Sequence, residues 1–133
     1  MIAADSSVVV AGLLTWHEAH AVSRVALKSA VIPAHALLET YSVLTRLPRP
    51  LTPTDAARVL ALAFQRESVL ASNVDLQTSL ATRCARLDIS GGAVYDALIA
   101  WTALDHGAEL ITRDRRAMRT YEKVGVRVRI LEA

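Results

Sequence analysis

Four carboxylates stand out by where they fall: Asp5 after IAA, Glu39 in HALLETYSVL, Asp96 in AVYDALIAWTA and Asp114 after LITR. Asp96 is the most demanding of them. Its neighbours at helical spacing are Gly92, Ala93, Ile99 and Ala100, and burying an unpaired carboxylate among such residues is costly. A hydrogen-bond partner, an arginine or a metal must compensate. Glu39 has His35, Ala36, Ser42 and Val43 at the matching positions. The spacing places both acids a turn or more inside a helix, beyond the reach of the helix dipole. Asp5 and Asp114 are equally placed to cap helices beginning just after them. Gathered in one pocket, four carboxylates repel one another unless divalent cations hold them. An all-oxygen ligand set suits hard ions, Mg²⁺ or Mn²⁺ rather than zinc. Such ions activate water and stabilise phosphoryl transition states.

The elements that must position these acids follow from the pattern. MIAAD reads as a short strand ending at Asp5, with a helix starting at Ser6. Helices are expected over 17–29, 35–47, 52–66, 74–88, 93–107 and 113–125, from apolar residues at helical spacing and their end signals. Short strands are expected at 30–34, 68–72 and 108–112, and the alternation of VRVRILE, 126–132, fits an edge strand. The proline-rich stretch PRPLTP, 48–53, separates two helices. Strands alternating with helices predict an α/β fold: a three-layer α/β/α sandwich around a short, mostly parallel central sheet. In such sheets ligands gather beyond the carboxyl ends of the strands, at the switch point. Asp5 and Asp114 lie where that rule places a site.

Composition narrows the class. The 133 residues are expected to form one domain spanning 1–133. Of these, 53% are hydrophobic and only 5% aromatic, so the core is built mainly from Ala, Val, Leu and Ile. Cys84 is the sole cysteine, which excludes an internal disulfide and a cysteine metal cage. No run approaches the ~18 apolar residues of a membrane span, and MIAADSS lacks the form of a signal peptide. A cytoplasmic protein without a membrane partner is expected. The stretch 113–129 carries seven basic residues against two acids. Arg113, Arg115, Arg116 and Arg119 flank Asp114 and are candidates for backbone phosphate contacts. They also read simply as a solvated face. Trp16, Tyr95 and Trp101 are candidates for stacking on bases, with Trp101 placed for core packing and Trp16 for exposure. His17 and His20 are three apart around Glu18 without the spacing of a metalloprotease pair, and His35 lies four before Glu39. The sequence leaves the roles of these three histidines open.

Taken together, IAADSSVVV, PAHALLETYSVLTRLP, AVYDALIAWTA and ELITRDRRA resemble the PIN-domain ribonucleases, and among them the small VapC-like toxins of type II toxin–antitoxin (VapBC) systems. The resemblance covers nearly the whole chain, although 48–90 carries no family-specific motif. It implies that Asp5, Glu39, Asp96 and Asp114 form an acidic metal site. Ser7, two after the first acid, and Thr112, two before the last, match the supporting hydroxyls of the family. It further implies a Mg²⁺-dependent (or Mn²⁺-dependent) endoribonuclease. In that mechanism a metal-activated water cleaves RNA phosphodiesters, leaving a 5′-phosphate and a 3′-hydroxyl. The implied partners are an RNA substrate, a cognate VapB-like antitoxin covering the acidic site, and a second copy of the chain in a homodimer within a larger complex. Residues 17–28 and 35–47 are candidate antitoxin surfaces. Other readings stay open: a PIN-like module that only binds RNA or protein, or a PIN nuclease of RNA maturation or decay. A dehalogenase-like phosphatase is disfavoured, because Ser7 stands where that chemistry needs a second aspartate.

Overall fold

Five short apolar segments form the sheet: β1 (Ile2–Ala4), β2 (Ala30–Pro33), β3 (Val69–Leu70), β4 (Glu109–Thr112) and β5 (Val128–Ile130). The computed structural model describes all residues from Met1 to Ala133. The strand order is β3-β2-β1-β4-β5 and every pairing is parallel. Ile2 pairs with Ala30 on one side of β1 and with Glu109 on the other. The chain therefore runs from β1 outward to β3, then returns to lay β4 on the opposite side of β1. That reversal makes the gap between the ends of β1 and β4 the switch point.

Seven helices cover the sheet: α1 (Ser6–Leu13), α2 (His20–Leu27), α3 (Ala34–Leu44), α4 (Pro53–Ala63), α5 (Val74–Arg86), α6 (Ala93–Asp105) and α7 (Arg115–Val124). The result is the expected three-layer sandwich, with a sheet that is wholly rather than mostly parallel. Parallel strands buried on both faces carry continuous apolar runs, and Ala3, Ala4, Ile32, Leu110 and Ile111 are all buried. Val8 and Val9 of α1, Ile99 and Ala100 of α6, and Ala117 and Tyr121 of α7 close over them in one core. A second cluster joins α5 to α6 through Leu76, Cys84 and Trp101. A third joins α1, α3 and α4 through Leu14, Leu44, Ala56 and Leu60.

Most helix ends follow local chemistry. Thr52 caps α4 through the amide of Asp55, with Pro53 opening the helix. Asn73 caps α5 through Leu76 N at 2.7 Å, and Gly125, at φ 90°, closes α7 in the left-handed conformation. The expected helix over 17–29 is shorter, beginning only at His20. The His17 amide donates to Leu14 O, and the Ala19 amide donates to His17 Nδ1 at 3.0 Å. A side chain that captures a nearby amide competes with the helix, so 14–19 forms a turn. The helix expected over 52–66 likewise stops at Ala63. Phe64 turns extended to bury its ring, and a single 3₁₀ turn, Arg66–Ser68, leads into β3.

Candidate active site

The end of β1 sets the first acid. The Asp5 amide donates to Ile111 O at 3.2 Å, carrying the β1–β4 ladder one residue past the strand. Asp5 then caps α1, its Oδ1 accepting from Ser7 N at 3.1 Å and from Val8 N at 3.4 Å. Ser7 Oγ donates to the same oxygen at 2.5 Å. Oδ2 accepts from Thr112 Oγ at 2.5 Å and from the Tyr121 hydroxyl at 2.7 Å. Asp5 as a whole is 2% exposed. Burial raises its pKa, opposed by the hydrogen bonds of Ser7, Thr112, Tyr121 and Val8. Capping and site are thus one arrangement: the same carboxylate holds the helix start and sits at the switch point.

Both hydroxyls link elements. Thr112 Oγ donates to Asp5 and accepts the Asp114 amide at 3.0 Å, so it ties the first and last acids together. Ser7 Oγ accepts the Arg113 amide at 2.7 Å. Asp114 caps α7 through Arg116 N at 2.9 Å and leaves its carboxylate exposed. Glu39, half-buried on α3, accepts from Ser6 Oγ at 3.1 Å and lies 3.9 Å from His35 Nε2. His35 in turn stacks on Tyr95, with ring centroids 5.2 Å apart and planes 9° apart.

α6 begins at Ala93 as expected, which puts Asp96 in its first turn, within reach of the helix dipole and not beyond it as the sequence reading has it. Gly92 is the N-cap and makes no side-chain capping bond, so the dipole gives this acid some support. That support does not satisfy it. The ion pairs of the chain join His35 to Glu39, Arg115 to Glu132, and Glu109 to Arg127 and Arg129. None reaches Asp96, so the arginine partner is ruled out. Burial, then the charges of Glu39, Asp114 and Asp5, push its pKa up to about 6. Four acids from β1, α3, α6 and the start of α7 are therefore close enough to repel.

The donor set fits a hard divalent ion by type: carboxylate oxygens backed by hydroxyls, with no thiol and with mutual repulsion that a cation relieves. No three acidic, cysteine or histidine side chains are grouped closely enough to hold a metal ion between them. Mg²⁺ does not need such a group, since it keeps several waters and binds through one or two carboxylates plus substrate phosphates. Asp96 and Asp114, free of side-chain partners of their own, are the ligands available to it. Asp5, with both oxygens engaged, is placed as the buried anchor of the set.

Of the four arginines, Arg113 and Arg116 line an open cleft of about 460 Å³ beside Asp114, together with Ser6, Ser7, His17 and Glu18. Arg115 points away into a 2.8 Å pair with Glu132. Arg119 lines a different depression with Asp88 and Lys123. Trp16 is 68% and Tyr95 55% exposed, whereas Trp101 is buried at 7% beneath Arg83. Reading the sequence missed two features. Tyr121 lies in the basic stretch where the pattern reads as surface, yet its hydroxyl reaches Asp5. Its only signal is the spacing from Ala117, which marks the inner face of α7. The His17–Glu18 wall of the cleft was likewise hidden, because a turn replaces the expected helix.

This geometry can be set against known proteins. A family model described as PIN domain matches residues 2–123. The chain belongs to the PIN-domain family. This PIN domain is 50% identical to Ribonuclease VapC27 of Mycobacterium tuberculosis over 131 residues, covering 96% of this chain and 94% of that one. It is 46% identical to Ribonuclease VapC40 of the same species over 134 residues, covering 98% and 99%. The VapC resemblance read from the motifs is borne out. Among solved structures, the PIN domain superposes on FitAB bound to IR36 DNA fragment with a TM-score of 0.67, at 19% identity over 98% of this chain and 94% of that one. VapBC2 from Rickettsia felis bound to a DNA fragment from its promoter gives 0.68 at 13% identity, over 99% and 100%. At these identities the structural likeness concerns the fold.

Proposed function

We propose that this PIN domain is a metal-dependent endoribonuclease and the toxin of a toxin–antitoxin pair. The single observation that carries the reading is Asp96. It is a carboxylate without a partner, its pKa pushed up to about 6 by burial and by the charges of Glu39, Asp114 and Asp5 on separate elements. A scaffold has no use for that repulsion, and the ribonuclease names of relatives at 46–50% identity point to its chemistry.

Asp96 and Asp114 would hold Mg²⁺ or Mn²⁺ directly, with Glu39 and Asp5 completing the negative field. When bound, such an ion supplies Lewis-acid stabilisation of phosphoryl charge and makes a water acidic enough to act as nucleophile. The chain's own groups do the rest. Tyr121 and Thr112 fix Asp5 through its Oδ2, and Ser7 fixes it through Oδ1. Ser6 orients Glu39. Arg113 and Arg116 place the RNA backbone in the cleft beside Asp114.

The fold neighbours FitAB and VapBC2 carry two-component names, which supports an antitoxin partner here. Val25 and Leu38, each 65% exposed, lie within the 17–28 and 35–47 segments. An all-apolar groove of about 380 Å³ runs between α3 and α4, lined by Leu37, Tyr41, Leu60 and Phe64. These surfaces would take the antitoxin and, in a homodimer, a second copy of the chain. No helix is long and apolar enough to cross a membrane. The test is incubation of the full chain, free of partner, with structured and single-stranded RNAs in Mg²⁺, Mn²⁺ or EDTA. Cleavage in either metal but not in EDTA, lost in folded Asp96→Asn, is expected. Undiminished cleavage by Asp96→Asn contradicts the proposal.

A further inference from the structure

The cleft beside Asp114 is lined by groups of opposite charge: Arg113 and Arg116 around the start of α7, and Glu18 beside His17 in the turn before α2. Glu18 is exposed and belongs to none of the chain's ion pairs. A carboxylate there repels a phosphate, so an RNA strand entering the cleft places its phosphates against the arginines. Its base then lies on the Glu18 side.

The turn that carries Glu18 offers a base a stacking face at the edge of the cleft. Trp16, next in the chain to the cleft-lining His17, is 68% exposed, although a large indole is usually much better buried. It stacks on His17, with ring centroids 6.4 Å apart and planes 27° apart, so the imidazole braces one side of the indole. The brace is itself fixed. The Ala19 amide donates to His17 Nδ1 at 3.0 Å, and the backbone bonds His17 N to Leu14 O and His20 N to His17 O hold the turn, each at 3.0 Å. Because Nδ1 accepts, the proton sits on Nε2, which leaves an N–H donor free at the cleft.

Resting on the nuclease reading for its ligand class, we propose that the Trp16–His17–Glu18 turn is the base-recognition element of the RNA cleft and selects an unpaired guanine beside the cleaved phosphate. Unpaired bases are read by stacking on aromatic side chains and by hydrogen bonds along their Watson–Crick edges. The two oxygens of Glu18 are acceptors only. On that edge guanine alone presents two adjacent donors, N1–H and the 2-amino group. Adenine, cytosine and uracil each set one donor beside acceptors that a carboxylate repels. His17 Nε2–H donates to an oxygen of the same nucleotide.

The test uses the fluorescence anisotropy of 5′-fluorescein-labelled RNA, so that chains with and without Trp16 are read alike. Single-stranded RNA hexamers UUGUUU, UUAUUU and the inosine form UUIUUU are titrated at low salt in EDTA, so the readout needs no turnover. The guanine hexamer binds saturably, and inosine, which lacks only the 2-amino group, binds about tenfold more weakly. Glu18→Gln brings the guanine and inosine hexamers to within about twofold of each other. Trp16→Ala loses about tenfold in affinity and Trp16→Phe recovers most of it. Both side chains are exposed, so these variants keep the fold. Equal binding of guanine and inosine hexamers by the natural chain overturns the proposal, as does unchanged affinity in Trp16→Ala. Metal-dependent cleavage with no such discrimination sinks the recognition turn and leaves the nuclease standing. The full binding pattern with no cleavage of any RNA sinks the nuclease and leaves the turn.

Discussion

Replacing Asp96 by asparagine should stabilise the metal-free protein while abolishing its activity. The side chain keeps its shape, and no ion pair is lost because the chain's pairs lie elsewhere. What disappears is a charge whose pKa is raised from 3.8 to about 6 by burial, Glu39, Asp114 and Asp5. At 1.36 kcal/mol per pH unit, a shift of about two units corresponds to roughly 3 kcal/mol. Asp96 is only half-buried, so solvent screening brings this down to about 1–2 kcal/mol. The sign follows from linkage. A carboxyl with a raised folded pKa favours the fold while protonated, and that contribution is lost as pH rises from 3.8 through about 6. The natural chain therefore bears the full repulsion at pH ~8, and little of it below pH ~4. Urea unfolding in EDTA at several pH values measures both chains. The variant should be the more stable at high pH, with the gap closing as the pH falls through that window. A variant less stable than the natural chain at high pH, or a gap indifferent to pH, would refute the reasoning.

Other perturbations probe neighbouring parts of the site. Tyr121→Phe deletes the 2.7 Å bond to buried Asp5 and should cost about 1.5–3 kcal/mol of stability in urea titrations. Thr112→Val removes both the donor to Asp5 and the acceptor of the Asp114 amide. It should lower stability by about 2 kcal/mol and cleavage with it, whereas Thr112→Ser should restore most of both in the same assays. Mg²⁺ at about 100 times its Kd should stabilise the natural chain by about 2.7 kcal/mol, read as a raised Tm, and should do so far less for Asp96→Asn. Arg116→Ala should reduce the salt dependence of RNA binding by about one unit of slope, whereas Arg115→Ala, at an arginine already paired to Glu132, should leave it unchanged.

The parts of this protein legible in its sequence are those set by local patterning. Parallel strands, buried on both faces, announce themselves as short apolar runs, and Asp5 and Asp114 could be placed at their ends because capping and strand termination are local events. Asp96 could be singled out because an acid in an apolar helix needs a reason. The illegible parts depend on partners far away in the chain. Tyr121 meets Asp5 across 116 residues, and in RRAMRTYEKV only the spacing from Ala117 marks the side that faces the sheet, with nothing to say that a hydroxyl there reaches an acid. His17 looked helical because periodicity does not register a ring nitrogen that captures the Ala19 amide. The four arginines look equivalent in RDRRAMR, yet the rotation of α7 sends Arg116 to the cleft and Arg115 to Glu132.

The central claim is that these carboxylates support hydrolysis of RNA with water as nucleophile. The most direct measurement is the chemistry of the fragment ends after cleavage by the full chain in Mg²⁺. The account predicts 5′-phosphate and 3′-hydroxyl ends, formed only with metal and absent with Asp96→Asn. Fragments ending in a 2′,3′-cyclic phosphate and formed equally in EDTA would show attack by the ribose hydroxyl without metal, and would contradict it.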